Sequence, residues 1–238
     1  MRLGGLLNIF FPPLCHSCRQ PVPPSSDIHL CPQCRELVKA VSTPLCITCG
    51  TPFQTIDGID HRCGGCLASP PPFAAARAAV AFDGPVRELV HRFKYSKQVR
   101  LRRPLGLMMA ERLAPFATEA SPDLLIPVPL HIKRLRGRGF NQALLLASLL
   151  GRQWGIQVSR HNLRRVRWTE PQVELSPDER IKNVRGAFQV ADPGEIAGKR
   201  IMLVDDVYTT GSTVKECAKT LKQAGAAAVY VATVAIAL

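Results

Sequence analysis

The sequence predicts an α/β protein with a mostly parallel sheet flanked by helices, preceded by a small N-terminal module held together by metal. Two observations carry this. From residue 74 onward, strand-like apolar runs alternate with helix-like ones, the order that a parallel sheet with crossover helices produces. Before residue 70, periodic structure is scarce and four C-x-x-C pairs take its place. The chain has 238 residues and 46% hydrophobic content, enough to bury one good-sized core beside a small domain. The expected domains are 1–70 and 74–238, with "SPPPF" at 69–73 between them.

The eight paired cysteines are Cys15/Cys18, Cys31/Cys34, Cys46/Cys49 and Cys63/Cys66. Each knuckle presents two thiolates. The gaps of 12 residues (18 to 31) and 13 residues (49 to 63) let the chain fold back so that two knuckles complete a tetrahedron. About two structural Zn²⁺ are expected, in two sets whose like spacing suggests an internal repeat. Sequential pairing and a cross-braced pairing of first knuckle with third both satisfy the spacing. A disulfide framework would need an exported chain. The opening "MRLGGLLNIFFPPLC" has too short an apolar stretch and no small-residue cleavage site, so a cytoplasmic protein is expected. No run is apolar enough to span a bilayer. "RELVKAVS" after Cys34 reads as a short helix, and Cys217, within a helix pattern, as an ordinary buried thiol.

The elements of the second part follow in order. "RAAVAF" is a strand. "DGPVRELVHRF" is a helix with Asp83 as cap and Pro85 early in it. "PLGLMMAERLAPF" is a second helix, opened by Pro104. "DLLIPVP" (123–129) is a buried strand ended by prolines, and "NQALLLASLLGRQWG" a helix stopped by Gly155. Ser176, Pro177 and Glu179 make a capping box for a further helix. "KRIMLVDD" is a strand apolar on both faces, "STVKECAKTLKQAG" a helix ended by Gly225, and "AAVYVATVAIA" the last strand.

One turn concentrates chemistry. In "IMLVDDVYTTGST" (201–213) an apolar strand runs into Asp205 and Asp206, then into Thr209, Thr210, Gly211, Ser212 and Thr213 at a helix start. Ligands of open parallel sheets bind beyond the carboxyl ends of strands. The helix N-terminus offers amides and a favourable dipole to an anion, and the hydroxyls add donors. Gly211 lets the backbone come close to a ligand. The acids suit ribose hydroxyls, directly or beside Mg²⁺. A 5-phosphorylated ribose satisfies every part. A Walker A loop is absent, since Gly198-Lys199 is followed by Arg200. A helix cap alone needs one such side chain, not four hydroxyls and two acids.

Net charge is +13 and uneven. Residues 1–75 carry five Lys/Arg against four Asp/Glu, and residues 76–238 carry 26 against 14. Clusters lie at 87–103 (including Lys94, Arg100, Arg102 and Arg103), at 133–138 (Lys133, Arg134, Arg136, Arg138) and at 160–167. A phosphate-rich partner is the natural expectation, and a merely solubilising surface the bland one.

The signature at 201–213 resembles the ribose-phosphate-binding motif of type I phosphoribosyltransferases, which use phosphoribosyl pyrophosphate (PRPP). The order of double zinc ribbon, "FKY", "IPVPLHIKRLRGRGFNQA", "NVRGAF" and that signature resembles the ComF/GntX family of competence and DNA-utilisation proteins over nearly the whole chain. The resemblance implies a type I phosphoribosyltransferase-like fold and a role in handling transforming DNA. It matches Asp205 and Asp206 to the acids that hold the ribose 2′- and 3′-hydroxyls, and 209–213 to the 5′-phosphate loop. It puts "PVPLHIKR" (127–134) at the pyrophosphate loop, with Lys133, Arg134 and Arg138 meeting pyrophosphate charge. It matches 166–183, with Thr169, Gln172, Arg180 and Asn183, to the mobile loop that closes over PRPP. Asp205, Asp206 and Arg180 are thus the candidate catalytic residues. Arg100, Arg102 and Arg103 are the candidate nucleic-acid contacts. The implied partners are PRPP with Mg²⁺, single-stranded DNA and a competence helicase or other DNA-uptake proteins. Two functions stay open: a PRPP-binding, DNA-handling protein, or an active phosphoribosyltransferase whose acceptor no residue specifies.

Overall fold

The structure, a computed structural model, describes residues 12–23, 28–55, 58–169 and 177–238. Five strands form one sheet in the order β1 (Ala75–Ala81), β7 (Ala228–Ile236), β6 (Arg200–Tyr208), β2 (Leu124–Pro127) and β3 (Gln157–Val158). Every pairing in it is parallel: Ala75 faces Tyr230, Arg200 faces Ala228, Leu124 faces Ile201, and Leu124 also faces Gln157. β6 lies at the centre, and Ile201, Met202, Leu203 and Val204 are fully buried, as a strand covered on both faces requires. A two-stranded antiparallel ribbon, β4 (Leu163–Arg165) with β5 (Phe188–Val190), stands outside the main sheet. The sequence reading missed it because three-residue strands leave no measurable alternation.

In the cysteine-rich segment, α1 (Pro32–Glu36) and α2 (Gly64–Ala68) each carry the last cysteine of their set. The helix expected over "RELVKAVS" begins earlier and stops at Glu36. Pro32 supplies its first turn, and the Cys31 sulfur caps it by accepting from the Cys34 amide. Both ribbons are built into the body. Cys15, Val22, Leu30, Cys31, Cys34 and Val38 share one buried cluster with Val86, Leu89 and Val90 of α3 (Gly84–Tyr95). Arg92 donates twice to the His16 carbonyl, both at 2.6 Å. In the second ribbon the Thr48 carbonyl accepts from the Ala76 amide at 2.7 Å. Gly50 is left-handed (φ 74°), and a Cβ there would lie 2.4 Å from the Ala76 carbonyl oxygen, so only glycine fits against β1.

Asp83 caps α3 through Gly84, as expected. The single helix expected at 104–116 is two, α4 (Arg102–Arg112) and α5 (Ala114–Ala120). Pro115 has no amide hydrogen to continue the first, so it opens the second instead. α6 (Ile132–Arg138) ends at left-handed Gly139, and α7 (Gln142–Trp154) at Gly155. α8 (Pro177–Val184) follows the expected capping box, whose Ser176 lies outside the described residues. α9 (Ser212–Gln223) packs between β7 and α8. Among the described residues no helix is long and apolar enough to cross a membrane.

Candidate functional site

The cysteines form two sets, Cys15/Cys18/Cys31/Cys34 and Cys46/Cys49/Cys63/Cys66, each with all four sulfurs within 4.8 Å of one another. The pairing is therefore sequential, not cross-braced. Backbone amides of Cys31 and Cys34 donate to the sulfurs of Cys15 and Cys31 at 3.4 Å. In the second set Cys49 and Cys63 donate to Cys46 at 3.4 and 3.3 Å. Such donors favour thiolates, the form that zinc binds. Two Cys₄ sets of this shape fit structural zinc. Cys217 is buried in α9, and desolvation holds its thiol pKa well above the ordinary value, which suits an inert core residue.

The acids sit inside β6 rather than at its last positions, because the strand runs on to Tyr208. Asp206 is only 6% exposed and pairs with Lys94 Nζ of α3 at 2.7 Å. Asp206 is thus a buried, ion-paired carboxylate, and Lys94 of the 87–103 cluster is spent on it instead of facing a phosphate-rich partner. Burial works against the Lys94 charge, but the neighbouring Asp206 carboxylate outweighs it and the amine pKa is raised. Asp205 is half-buried and accepts from the Asp206 amide at 2.8 Å. Burial first, and then the Asp206 charge, push the Asp205 carboxyl up to about 7.

That elevation has a measurable sign. The folded state holds a proton on Asp205 that the unfolded chain releases near pH 4, so this group's contribution to stability falls as pH rises from about 4 to about 7. An Asp205→Asn variant should gain stability relative to wild type over that interval, by about 1 kcal/mol or more at pH 7.5. Urea midpoints at pH 5 and 7.5 check it; a wild type to variant difference that is the same at both values contradicts the assignment.

The turn after β6 is held from beneath. Gly211 is left-handed (φ 72°), and a Cβ there would meet Tyr208 Oη at 2.4 Å. Tyr208 belongs to the same buried cluster as Cys46, Cys49 and Cys66. Burial, and behind it the sulfurs of that set, push its hydroxyl pKa up. Thr210 Oγ1 and Ser212 Oγ lie 2.6 Å apart, and Ser212 is buried while Thr209 is exposed. The first amides of α9 open at this end, so the turn has the donors and dipole an anion needs.

The segment after β2 explains "RGRGFNQA". Gly139 stops α6, and Asn141 caps α7 by accepting from the Ala143 amide while donating to the Val128 carbonyl at 3.1 Å. The buried Gln142 accepts from Arg138 at 2.7 Å, and Arg138 also covers the Tyr95 ring. Lys133 and Arg134 gather on Trp168, 5.5 and 5.4 Å from the ring centre, with His131 edge-on to it. Arg134 donates to the Thr169 carbonyl at 3.1 Å, and Arg165 to the Thr169 hydroxyl. Thr169 is buried. Burial and nearby Arg134 lower the Arg165 guanidinium to about 10. Arg180 is half-buried on α8 and Asn183 lies on the same helix, whereas Gln172 lies outside the described residues. Arg100, Arg102 and Arg103 are exposed at the start of α4. From the sequence Lys94 and Arg165 were read only as members of basic clusters, and Trp168 only as an aromatic among basic residues; their partners could not be read there.

Comparison with known proteins agrees with this architecture. The family described as Double zinc ribbon domain matches residues 6–67, and Phosphoribosyl transferase domain matches residues 137–237. The DNA utilization protein YhgH of Escherichia coli is 35% identical, over 92% of this chain and 95% of that protein. Competence protein F of Haemophilus influenzae is 36% identical over 82% of this chain and 85% of its own. Competence protein ComFC of Bacillus subtilis is 28% identical over 85% and 81%. Among solved structures, a B. subtilis glutamine PRPP amidotransferase aligns at TM-score 0.39 and 25% identity over 56% of this chain and 26% of that one. With its paired four-cysteine ribbons, its phosphoribosyltransferase-like parallel sheet and relatives matched nearly end to end, this chain belongs to the ComF/GntX family.

Proposed function

We propose that the chain is a PRPP-binding protein of the cytoplasm that engages single-stranded DNA during DNA uptake or utilisation. The observation that carries the PRPP half is the continuity of Asp205-Asp206 with the Thr209–Thr213 turn at the start of α9. On this reading the turn receives the 5′-phosphate and the two acids receive the ribose hydroxyls. Lys133, Arg134 and Arg138 stand by for the pyrophosphate, and α8 brings Arg180 into play as the ligand is enclosed. Mg²⁺ bound with PRPP would neutralise pyrophosphate charge. For Lys94 the reading implies a competition: the amine must yield Asp206, or share it, when ribose arrives. Zinc, about two per chain, has a structural task, and on this reading the ribbons take 1–70 and the transferase-like body 74–238.

DNA engagement is supported by the confinement of the basic excess to residues 76–238 and by the names of the relatives. The second reading, an active transferase, is favoured by the intact acids. The acceptor's nucleophile would bond C1 of the ribose as the C1–oxygen bond to pyrophosphate breaks, and the basic groups near Trp168 would stabilise the negative charge on the leaving pyrophosphate.

One titration series tests both. PRPP with Mg²⁺ should give a saturable calorimetric signal. Single strands should bind with a log–log salt slope of roughly −3 to −4, as four to six phosphate contacts give. Arg100, Arg102 and Arg103 changed together to alanine should flatten that slope. Absence of strand binding at tens of micromolar protein, or a flat salt response, removes the DNA half. Pyrophosphate release with any nucleobase, with or without DNA, moves the transferase reading to first place.

A further inference from the structure

A cleft of about 420 Å³ lies where the first ribbon meets the start of α4. Leu14, His16, Arg19 and His29 form its ribbon wall, and Arg100, Arg103 and Pro104 the opposite one. Three arginines and two imidazoles thus border one space.

The internal repeat shows which of these residues the metal fold itself does not require. Arg19 follows Cys18 as Gly50 follows Cys49, and both are left-handed, φ 67° and 74°. In the second ribbon that conformation is filled by glycine, the residue that adopts it without steric cost. The first ribbon keeps the same turn but accepts the strain of an arginine, and its side chain borders the cleft. His29 is also left-handed, at φ 49°. His16 occupies the place that Ile47 holds in the second ribbon. Strained, non-glycine backbone concentrated on one cleft is the pattern of a binding site rather than of a packing surface. The position is fixed as well as strained: both terminal nitrogens of Arg92 grip the His16 carbonyl, and the His16 and His29 rings lie 5.5 Å apart.

We infer that this cleft binds a nucleoside phosphate, with the phosphate on Arg19 and Arg100 and the base against the imidazoles, Leu14 and Pro104. Guanidinium forks match phosphate oxygens two at a time. Flat rings and apolar side chains offer a base its face without reading its edge. A space of this size takes one nucleotide unit, which has two sources: a free nucleotide, or one unit of a single strand. The inference shares Arg100 with the DNA reading above but uses nothing of the PRPP reading.

The test uses the zinc-loaded full chain with PRPP present, titrated with AMP, adenosine, inorganic phosphate and a short oligodeoxythymidylate. The variants are Arg19→Gly, which relieves the backbone strain and keeps the ribbon folded, and Arg100→Ala. AMP or the oligonucleotide should bind, and each variant should weaken that binding at least about fivefold. Heats for PRPP added alone should be the same in wild type and Arg19→Gly. AMP affected by the variants identifies a free nucleotide as the ligand; an effect on the oligonucleotide alone identifies a strand. Binding of both probes that neither variant changes overturns the inference, as does failure of both to bind. Inorganic phosphate binding as tightly as AMP overturns the base contact. If PRPP gives no heat, the PRPP reading fails while the Arg19→Gly comparison still reads the cleft.

Discussion

Asp206→Ala should abolish measurable PRPP binding and also lower the stability of the fold by about 2–3 kcal/mol. The first loss follows from removing a charged acceptor for ribose hydroxyls. The second follows from the Lys94–Asp206 pair. A surface carboxylate at a strand end costs little to delete, but this one is buried within β6, and its removal strips Lys94 of its hydrogen-bonded partner and leaves only the more distant Asp205 charge. Truncating one member of a buried pair costs about 3–5 kcal/mol, and the partial exposure of Lys94 places this case at or below the low end. Lys94→Met with Asp206→Leu should therefore be more stable than either single variant, since an apolar pair leaves no unpaired charge. Denaturant midpoints of the four proteins, with calorimetry for PRPP, decide it. Equal stability of wild type and Asp206→Ala would mean that the pair holds nothing in place, and unchanged PRPP affinity would remove Asp206 from the site.

Stripping the metal should have the larger structural effect. Each Cys₄ set stands in for a core that the first part of the chain cannot build, and structural zinc sites contribute about 10–16 kcal/mol of apparent binding free energy at neutral pH. Loss of metal should not leave the α/β body untouched. Leu30, Cys34 and Val38 cover Val86, Leu89 and Val90 of α3, and the second ribbon lies along β1. A chelator in mild denaturant should therefore release about two zinc ions per chain and lower the midpoint for unfolding of the whole protein. Cys34→Ser and Cys66→Ser should each release about one. A chelated protein that melts like the loaded one, by far-ultraviolet circular dichroism, would contradict a structural role for the metal.

Much of this was legible before the structure because the informative residues lie close together in the chain. C-x-x-C spacing constrains four sulfurs locally, and the run from Ile201 to Thr213 carries strand, acids, turn and helix start in one stretch. The alternating apolar runs located β6, β7 and α9 for the same reason. What was missed is non-local. Lys94 meets Asp206 only because α3 packs beside the sheet, and a lysine in a basic run reads as solvent-facing until its partner is known. Trp168 collects Lys133 and Arg134 from a distant helix, and no periodicity announces it. The break at Pro115 was readable in principle; the apolar run on both sides of it concealed the stop.

Tyr208 joins two parts of the molecule that the sequence keeps apart. Its ring supports Gly211 at the start of α9, and the same residue is buried with Cys46, Cys49 and Cys66. A shared rigid element gives two equilibria a route by which each can bias the other. Whatever factor metal loading of the second ribbon contributes to anion affinity at 209–213, an anion there must return to metal retention, because the two form one thermodynamic cycle. If metal loading tightens the anion, a cell holding much of the ligand would protect the ribbon from chelators by the same factor.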